Sequence, residues 1–260
     1  MTFTETGGVR YFSFAIFPQA ITQAVFTRSG GVSPTPWDTL NVGGTVGDDA
    51  ERVRENRRRM FDTAGRSLQT AFDVWQVHSA DAVRADAPRP PEQPHQKADI
   101  ILTDRPEVTL YMRFADCVPM LLYDPADGVV CLAHAGWLGT VRGAAAAAVQ
   151  AMIRYYGSKP ADILAGIGPS IGVDHYEIGP DVVEQIRHAF GRDEQGLIER
   201  RDGRTYLDLW AANRLQLEST GVQQIEVAGI CTACHLDDWY SHRAEKGKTG
   251  RFGALIALPS

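Results

Sequence analysis

The chain has 260 residues, of which 44% are hydrophobic and 22% are charged, which is enough apolar material for one large domain or two small ones. A formal net charge of -6 at pH 7 argues against a basic nucleic-acid-binding surface. No signal peptide is recognisable at the N-terminus, and no stretch approaches the roughly 20 apolar residues of a membrane span. We therefore expect a cytoplasmic protein without a nucleic-acid or membrane partner, in which the four cysteines form no disulfide framework.

The first third of the chain predicts alternating elements and no internal repeat. Residues 24–27 indicate a short strand that enters the glycine turn RSGGVSPTP. The aspartate pair at 48–49 can cap a helix that ends near Gly65. Residues 72–79, FDVWQVHS, predict a half-apolar strand, and the four prolines within residues 85–97 predict a loop.

Buried strands dominate the remainder of the chain. We expect them at residues 99–103, 108–115, 118–124, 129–135, 162–168, 224–230 and 253–258. Helices are predicted for residues 141–156, which are rich in alanine and stop at Gly157, for residues 180–190, which open on a proline, and for residues 206–220. This mixture favours an α+β or mixed α/β fold, a sheet covered by helices, in a single domain over residues 1–260.

Three polar residues stand at the ends of predicted buried strands. His78 ends WQVH, Cys117 lies between two apolar segments, and His134 closes VVCLAHA. Two histidines and one cysteinate would form a three-ligand zinc set that leaves a fourth position for water or substrate. The alternative is that each is an ordinary hydrogen-bonded or buried residue, since the three lie too far apart in the chain for a compact metal-binding motif.

A more conspicuous motif lies near the C-terminus. Residues 229–242 read GICTACHLDDWYSH and contain the C-x-x-C-H pattern of covalent haem attachment. Haem attachment of that kind belongs to exported proteins, which disfavours it here. C-x-x-C alone suits zinc binding or redox exchange, so the function of Cys231 and Cys234 stays open at this point.

Several segments together resemble one known family. In chain order they are AVFTRSGGVSPTPWDTLNVGGTVGDDAERVRENRRRM, WQVHSADAV, KADIILTD, ADCVPMLLYDP, AHAGWLGT, GIGPSIGVDHYEIG and ICTACHLDDWYSHRAEKGKTGRFGALIAL. They resemble the laccase-domain family, also described as multicopper polyphenol oxidases, peptidoglycan editing factors and purine nucleoside phosphorylases, over about residues 22–258. The resemblance implies a four-layer α/β/β/α sandwich with mixed β-sheets. It also implies that the metal ligands are His78, Cys117 and His134.

The same resemblance implies that the C-x-x-C-H motif supplies none of the family's metal ligands. Cys231 and Cys234 are then expected to pack at the end of a strand and to lie in a loop. One departure concerns the residue after the tryptophan of AHAGW, which is usually arginine in the family and is Leu138 here. If that arginine handles an anion, anion recognition must rest on other groups in this chain, such as Arg28 or Arg251.

The implied activity is zinc-dependent chemistry on purine nucleosides. Zn²⁺ is the expected cofactor and copper is less favoured. The implied reaction is phosphorolysis of adenosine, inosine or methylthioadenosine to the base and ribose 1-phosphate. Adenosine deaminase activity is implied as well, because a zinc ion with an open position can activate water for attack on adenine C6. The expected partners are a purine nucleoside and phosphate, bound by a monomer.

Particular residues are predicted to assist this chemistry. Besides the metal-binding Cys117, the candidate catalytic groups are two carboxylates that could orient a ligand histidine or relay a proton, namely Asp99 and Asp116. Arg28 and Arg251 are candidates for phosphate binding, because the planar guanidinium suits phosphate. Gln76, two residues before His78, and Asn41 are further candidates for contacts with the substrate.

Three alternative functions remain. A Cys-dependent amidase that edits peptidoglycan precursors would use Cys117 as nucleophile and His134 as base. A copper-dependent polyphenol oxidase could add Met120 to the ligands, but it needs a second histidine-rich cluster, and the seven histidines show no H-x-H spacing. A non-catalytic binding module is the least favoured alternative.

Overall fold

The computed structural model describes residues 2–259 and contains fourteen strands and five α-helices. The strands are β1 (Thr2–Thr6), β2 (Val9–Ser13), β3 (Thr22–Phe26), β4 (Ala71–Phe72), β5 (Ala82–Arg84), β6 (Ile100–Thr103), β7 (Thr109–Phe114), β8 (Val118–Asp124), β9 (Val129–Ala135), β10 (Leu164–Ile167), β11 (Ile198–Arg201), β12 (Arg204–Leu207), β13 (Gln224–Val227) and β14 (Phe252–Ala257). The helices are α1 (Ala50–Thr63), α2 (Trp137–Val141), α3 (Ala144–Tyr156), α4 (Pro180–Phe190) and α5 (Leu209–Ser219). Within residues 2–259, every helix is too short or too polar to cross a bilayer.

Two six-stranded sheets form the centre of the fold. Sheet one has the order β1-β2-β3-β14-β7-β4, and only its β7–β4 pair is parallel. Sheet two has the order β13-β10-β8-β9-β6-β5, with parallel pairs at both edges and antiparallel pairs between them. Strands β11 and β12 form a separate antiparallel hairpin.

The hydrophobic core has three parts that separate four layers. The inner faces of the two sheets pack together, with Met112 of sheet one and Leu132 of sheet two in the same cluster. The outer face of sheet one packs against α1, and the outer face of sheet two packs against α3, α4 and α5. This arrangement confirms the predicted α/β/β/α sandwich with mixed sheets.

The alternation of side chains along β9 positions one candidate ligand. Val130 and Leu132 belong to the cluster between the sheets, whereas Cys131 and Ala133 belong to the cluster under the helices. His134 continues the first series, because successive side chains of a strand point to opposite faces. Its imidazole therefore lies on the side of sheet two that faces sheet one.

Most of the predicted elements are confirmed, and their ends follow local chemistry. Asp49 caps α1 by accepting hydrogen bonds from the backbone N–H groups of Glu51 and Arg52. Gly157 ends α3 in the left-handed conformation, as expected for a glycine after a helix. The predicted helix at 141–156 is interrupted, because Gly143 also adopts a left-handed conformation and separates α2 from α3.

Two predicted segments are wrong in part. Residues 72–79 form a strand only at their start, and His78 has a positive φ of 58°, which an extended strand does not allow. Residues 206–220 are not helical throughout, because Leu207 still belongs to β12 and Asp208 caps α5. The strand β1 was missed because it lies at a sheet edge, where its mostly exposed residues show no apolar alternation.

Candidate metal centre

The two sheets bring together the three dispersed residues that the sequence singles out. His78 follows the irregular segment after β4, Cys117 lies in the turn between β7 and β8, and His134 lies near the end of β9. Their possible ligand atoms all lie within 4.8 Å of one another, and the two imidazole rings are 5.0 Å apart between centroids. We call these residues the His-Cys-His cluster. Two imidazole nitrogens and a thiolate at this separation fit a transition-metal ion such as zinc or copper.

Unusual backbone conformations turn two of the segments towards the cluster. His78 has φ 58° and Asp116, next to Cys117, has φ 79°, both in the left-handed region that side-chain-bearing residues rarely occupy. Such conformations persist only where surrounding contacts hold them, and they concentrate at functional sites.

A buried carboxylate supplies those contacts for both histidines. Oδ1 of Asp99 lies 2.9 Å from Nδ1 of His134, which leaves Nε2 as the nitrogen that can bind a metal. Oδ2 accepts hydrogen bonds from the backbone N–H groups of Val77 and Ser79, on either side of His78, and from the Ser79 hydroxyl. Asp99 therefore orients the ring of His134 and holds the turn of His78, as a carboxylate behind metal ligands does.

The cluster also perturbs its own protonation. Burial by itself raises the pKa of the Cys117 thiol, but the charges and hydrogen bonds of His134 and His78 outweigh it and lower the pKa to about 6. Burial by itself lowers the pKa of His134, but the Cys117 thiolate and Asp99 raise it to about 9. For Asp99, burial is outweighed by His134 and by backbone N–H groups, so that its pKa falls to about 2. The cluster thus favours a thiolate beside an imidazolium at neutral pH.

Close packing leaves no space for another side chain beside the cluster. A Cβ atom added to Gly136 would lie 2.8 Å from Sγ of Cys117 and 3.3 Å from Cδ2 of His78. On the other side, the ring of Phe114 lies 5.4 Å from that of His134 between centroids. The glycine of AHAGW is therefore required by the site, a role that its sequence position after a candidate ligand could have suggested.

Asp116 and Arg251 lie close to the cluster. Oδ1 of Asp116 accepts a hydrogen bond from the Thr232 hydroxyl at 2.7 Å, and Oδ2 accepts one from the backbone N–H of Arg243 at 2.7 Å. Burial lowers the pKa of Arg251, and the negative charges of Cys117, Asp116 and Glu245 oppose that effect. Asp116 is therefore held in a fixed position, and the negative charges of Cys117 and Asp116 favour the ionised guanidinium of Arg251.

All four predicted substrate residues already have protein partners, and Nη1 of Arg251 donates to two backbone carbonyls. Both oxygen and nitrogen of the Asn41 amide are bonded, the oxygen accepting from the backbone N–H of Arg251. Arg28 donates to the carbonyls of Asp38 and Leu236, pairs with Glu245 at 3.2 Å and stacks over Tyr240.

Gln76 is bonded to Arg113 through both ends of its amide, at 2.8 Å to the carbonyl oxygen and 3.1 Å from the backbone N–H. The argument that Gln76 shares a strand face with His78 is wrong, because this segment is not a strand. The assignment of Gln76, Arg28 and Asn41 to substrate binding stays a prediction.

Sequence reasoning missed Ser79 and Arg142. Ser79 fixes Asp99 through two hydrogen bonds, and the guanidinium of Arg142 donates to the carbonyl of His78 at 2.9 Å. Arg142 follows Leu138 by four residues and so lies on the same face of the α2 turn. A cation is therefore held against the backbone of His78, one helical turn after Leu138.

Within residues 2–259 a second group of possible metal ligands lies elsewhere. It consists of Asp174, His175, Cys231 and Cys234, whose ligand atoms also lie within 4.8 Å of one another. The C-x-x-C-H motif therefore contributes no ligand to the His-Cys-His cluster, although its two cysteines belong to a second group of possible ligands. We call this group the Cys-His-Asp cluster.

Known proteins resemble this chain over almost its whole length. The sequence model of the family described as multi-copper polyphenol oxidoreductase laccase matches residues 22–259. A protein of Deinococcus radiodurans named purine nucleoside phosphorylase is 41% identical over 240 residues, covering 92% of this chain and 90% of that protein. Purine nucleoside phosphorylase YlmD of Bacillus subtilis is 35% identical and covers 89% and 86%. The crystal structure of YlmD from Geobacillus stearothermophilus has a TM-score of 0.92 at 34% identity and covers 99% of this chain and 98% of that chain.

Proposed function

We propose that this chain, which belongs to the family described as multi-copper polyphenol oxidoreductase laccase, is a zinc-dependent purine nucleoside phosphorylase. Adenosine, inosine and methylthioadenosine are the proposed substrates, and deamination of adenosine is proposed as a second activity. Relatives that carry the name purine nucleoside phosphorylase support this choice. The observation that carries the proposal is the convergence of His78, Cys117 and His134 around one point.

The donor set supports zinc over copper. A multicopper oxidase needs a further cluster rich in histidine, whereas the two groups of possible ligands in residues 2–259 contain two histidines and one histidine respectively. Two nitrogens and one thiolate leave a fourth position of a tetrahedral ion free for a substrate atom. When bound, the metal would supply a Lewis acid that polarises an oxygen of the substrate.

In phosphorolysis, an oxygen of phosphate forms a bond to the anomeric carbon of the ribose. The bond from that carbon to purine N9 breaks, and the leaving base takes up a proton. We assign the phosphate to Arg251, whose half-buried guanidinium feels the negative charges of Cys117 and Asp116. Asp99 keeps His134 in the tautomer that ligates through Nε2 and holds the turn of His78. Asp116 fixes the turn that presents Cys117.

Incubation of the purified protein with adenosine or inosine, with and without phosphate, tests this function. The expected result is free base and ribose 1-phosphate only when phosphate is present, and inosine from adenosine independently of phosphate. Removal of the metal with a chelator should abolish both, and zinc should restore them. The matched control is Cys131→Ala, a cysteine on the opposite face of β9 from His134, which should keep both activities. Absence of any product from the metal-loaded protein would overturn the proposal.

One observation favours a second candidate function, a Cys-dependent amidase. Cys117, His134 and Asp99 form a chain of nucleophile, base and orienting carboxylate, and the pKa of the thiol is lowered to about 6. A muropeptide amide would be its substrate. Chelation distinguishes the two functions, because it abolishes a metal-dependent phosphorolysis but leaves or raises the reactivity of a metal-free thiolate.

A further inference from the structure

The C-x-x-C motif meets a second pair of polar residues from another part of the chain. Nδ1 of His175 lies 3.7 Å from Sγ of Cys231 and 3.5 Å from Sγ of Cys234. Oδ2 of Asp174 lies 2.9 Å from Sγ of Cys234 and 3.1 Å from Nδ1 of His175. Four donor atoms of three kinds therefore face one another outside the His-Cys-His cluster.

We propose that the Cys-His-Asp cluster is a second metal site that holds a structural zinc ion. With Zn–S bonds of about 2.3 Å and Zn–N bonds of about 2.0 Å, the sulfur and nitrogen ligands of a tetrahedral zinc ion lie about 3.5 Å apart. The two distances from His175 to the sulfurs match that value. The contacts of Asp174 are shorter, so its carboxylate must move outward by a few tenths of an ångström, which its half-exposed side chain permits.

The local backbone is built to receive the cysteines. The N–H of Gly172 donates to Sγ of Cys231 at 3.2 Å, which fixes the position of this sulfur. A Cβ atom at Gly172 would lie 2.5 Å from the Asp174 carboxylate and 3.1 Å from Cβ of Cys231, so a side chain at this position would displace the candidate ligands. A β-bridge between Ser170 and Cys231 aligns the two segments. The cluster therefore joins the loop after β10 to the loop after β13.

The number of protein ligands distinguishes this site from the first. Two thiolates, one imidazole and one carboxylate complete a tetrahedron, and sites with four protein ligands are structural, whereas sites with three keep a position for chemistry. The proposed ion would thus fix the 231–234 turn and bind no substrate. The inference does not rest on the proposed nucleoside chemistry.

The fixed turn is connected to the His-Cys-His cluster. The Thr232 hydroxyl, between the two cysteines, donates to Asp116 at 2.7 Å. The N–H of Ile171 donates to the carbonyl of Asp116 at 3.0 Å. Both loops that the second ion would join therefore contact the residue beside Cys117, so the ion would brace the turn that presents this ligand.

Cobalt substitution of the full-length protein tests the proposal. Cobalt bound to thiolates gives charge-transfer and tetrahedral ligand-field absorption. We expect about two metal ions per chain in the wild type, about one in Cys234→Ser and about one in His175→Ala. Cys117→Ser should also lose about one ion but should keep the spectrum of a site with two thiolates. Cys131→Ala serves as the control and should bind the same number of cobalt ions as the wild type.

Three results would overturn the proposal. The first is an unchanged metal content and cobalt spectrum in both Cys234→Ser and His175→Ala. The second is formation of a Cys231–Cys234 disulfide on oxidation with no loss of bound metal. That result would indicate a redox pair and not a metal site. The third is cobalt bound only when Cys117 is present. Both His175 and Cys234 are exposed, so their substitution should leave the fold intact and keep the test informative.

Discussion

The two clusters use similar ligands in opposite ways. The His-Cys-His cluster takes single residues from three distant segments and sets them against a fully buried carboxylate. The Cys-His-Asp cluster takes two short pairs, Asp174–His175 and Cys231–Cys234, and keeps most of its members exposed. The C-x-x-C motif thus belongs to the exposed Cys-His-Asp cluster. The residues dispersed along the chain form the His-Cys-His cluster, which has the buried Asp99 behind it.

Burial and neighbouring charge give the cysteines of the two clusters different acidities. The two histidines lower the pKa of Cys117 to about 6. Although Cys234 is exposed, partial desolvation of its thiol and the adjacent Asp174 carboxylate raise its pKa to about 12. One thiol is therefore ionised at neutral pH without a metal, and the other ionises only when a cation displaces its proton. Only the first is prepared for catalysis before an ion binds.

Substitution of Cys117 should give the largest effect and should affect only one cluster. Cys117→Ser removes a metal ligand, so nucleoside phosphorolysis should fall by more than about 100-fold, since loss of a residue behind a ligand already costs about 10–100-fold. Steady-state assays at saturating zinc measure the change. A variant that keeps more than a tenth of the wild-type rate would contradict the assignment of Cys117.

The next largest effect concerns Asp99, the fully buried carboxylate behind the His-Cys-His cluster. Asp99→Asn keeps the shape of the side chain but removes its charge, so metal affinity should fall about 10–100-fold. Competition with a chromogenic chelator measures the affinity. Asp104→Asn, on an exposed carboxylate just after β6, is the control and should bind zinc normally. Equal affinities for the two variants would show that Asp99 does not support the ligands.

The pH dependence of thiol reactivity sharpens the contrast between the cysteines. In metal-free protein, the rate of alkylation of Cys117 by iodoacetamide should rise with pH and reach half its plateau near pH 6, because only the thiolate reacts. Cys234 should stay unreactive up to about pH 10, because its pKa is raised to about 12. Mass spectrometry of the labelled peptides measures both rates. Labelling of Cys234 before Cys117 at pH 7 would reverse the predicted order.

The smallest effect should come from the hydrogen bond that connects the clusters. Thr232→Val removes the donor to Asp116 and leaves every candidate ligand in place. We expect kcat to fall about 3-fold to 10-fold, with the metal content unchanged, since a single hydrogen bond contributes about 0.5–1.5 kcal/mol. Thr220→Val, which removes a hydroxyl at the end of α5, is the control. An unchanged kcat in Thr232→Val would show that this hydrogen bond does not couple the two clusters.

The sequence predicted the central strands better than it predicted the irregular segment that carries His78. Long apolar segments such as β8 and β9 were found because they are buried on both faces and read as continuous hydrophobic runs. The segment that carries His78 was misread as a strand, because alternation in residues 72–79 does not reveal a positive φ at a histidine.

The candidate ligands were linked by family resemblance, and local spacing could not have linked them. His78, Cys117 and His134 meet only after β6, β8 and β9 pair, a long-range event that no short window records. The pairing of His175 with the two cysteines was missed for the same reason, since 56 residues separate it from Cys231. Arg142 was missed because its partner, the carbonyl of His78, lies 64 residues away in the chain.

A further consequence follows from the double attachment of Asp99. Its backbone carbonyl accepts from the N–H of His134, and its side chain holds the same residue's ring and the turn around His78. The two histidine ligands, His78 and His134, are thus positioned together when the neighbouring strands β6 and β9 pair. Metal binding by a refolding chain would consequently report when strands β6 and β9 have paired.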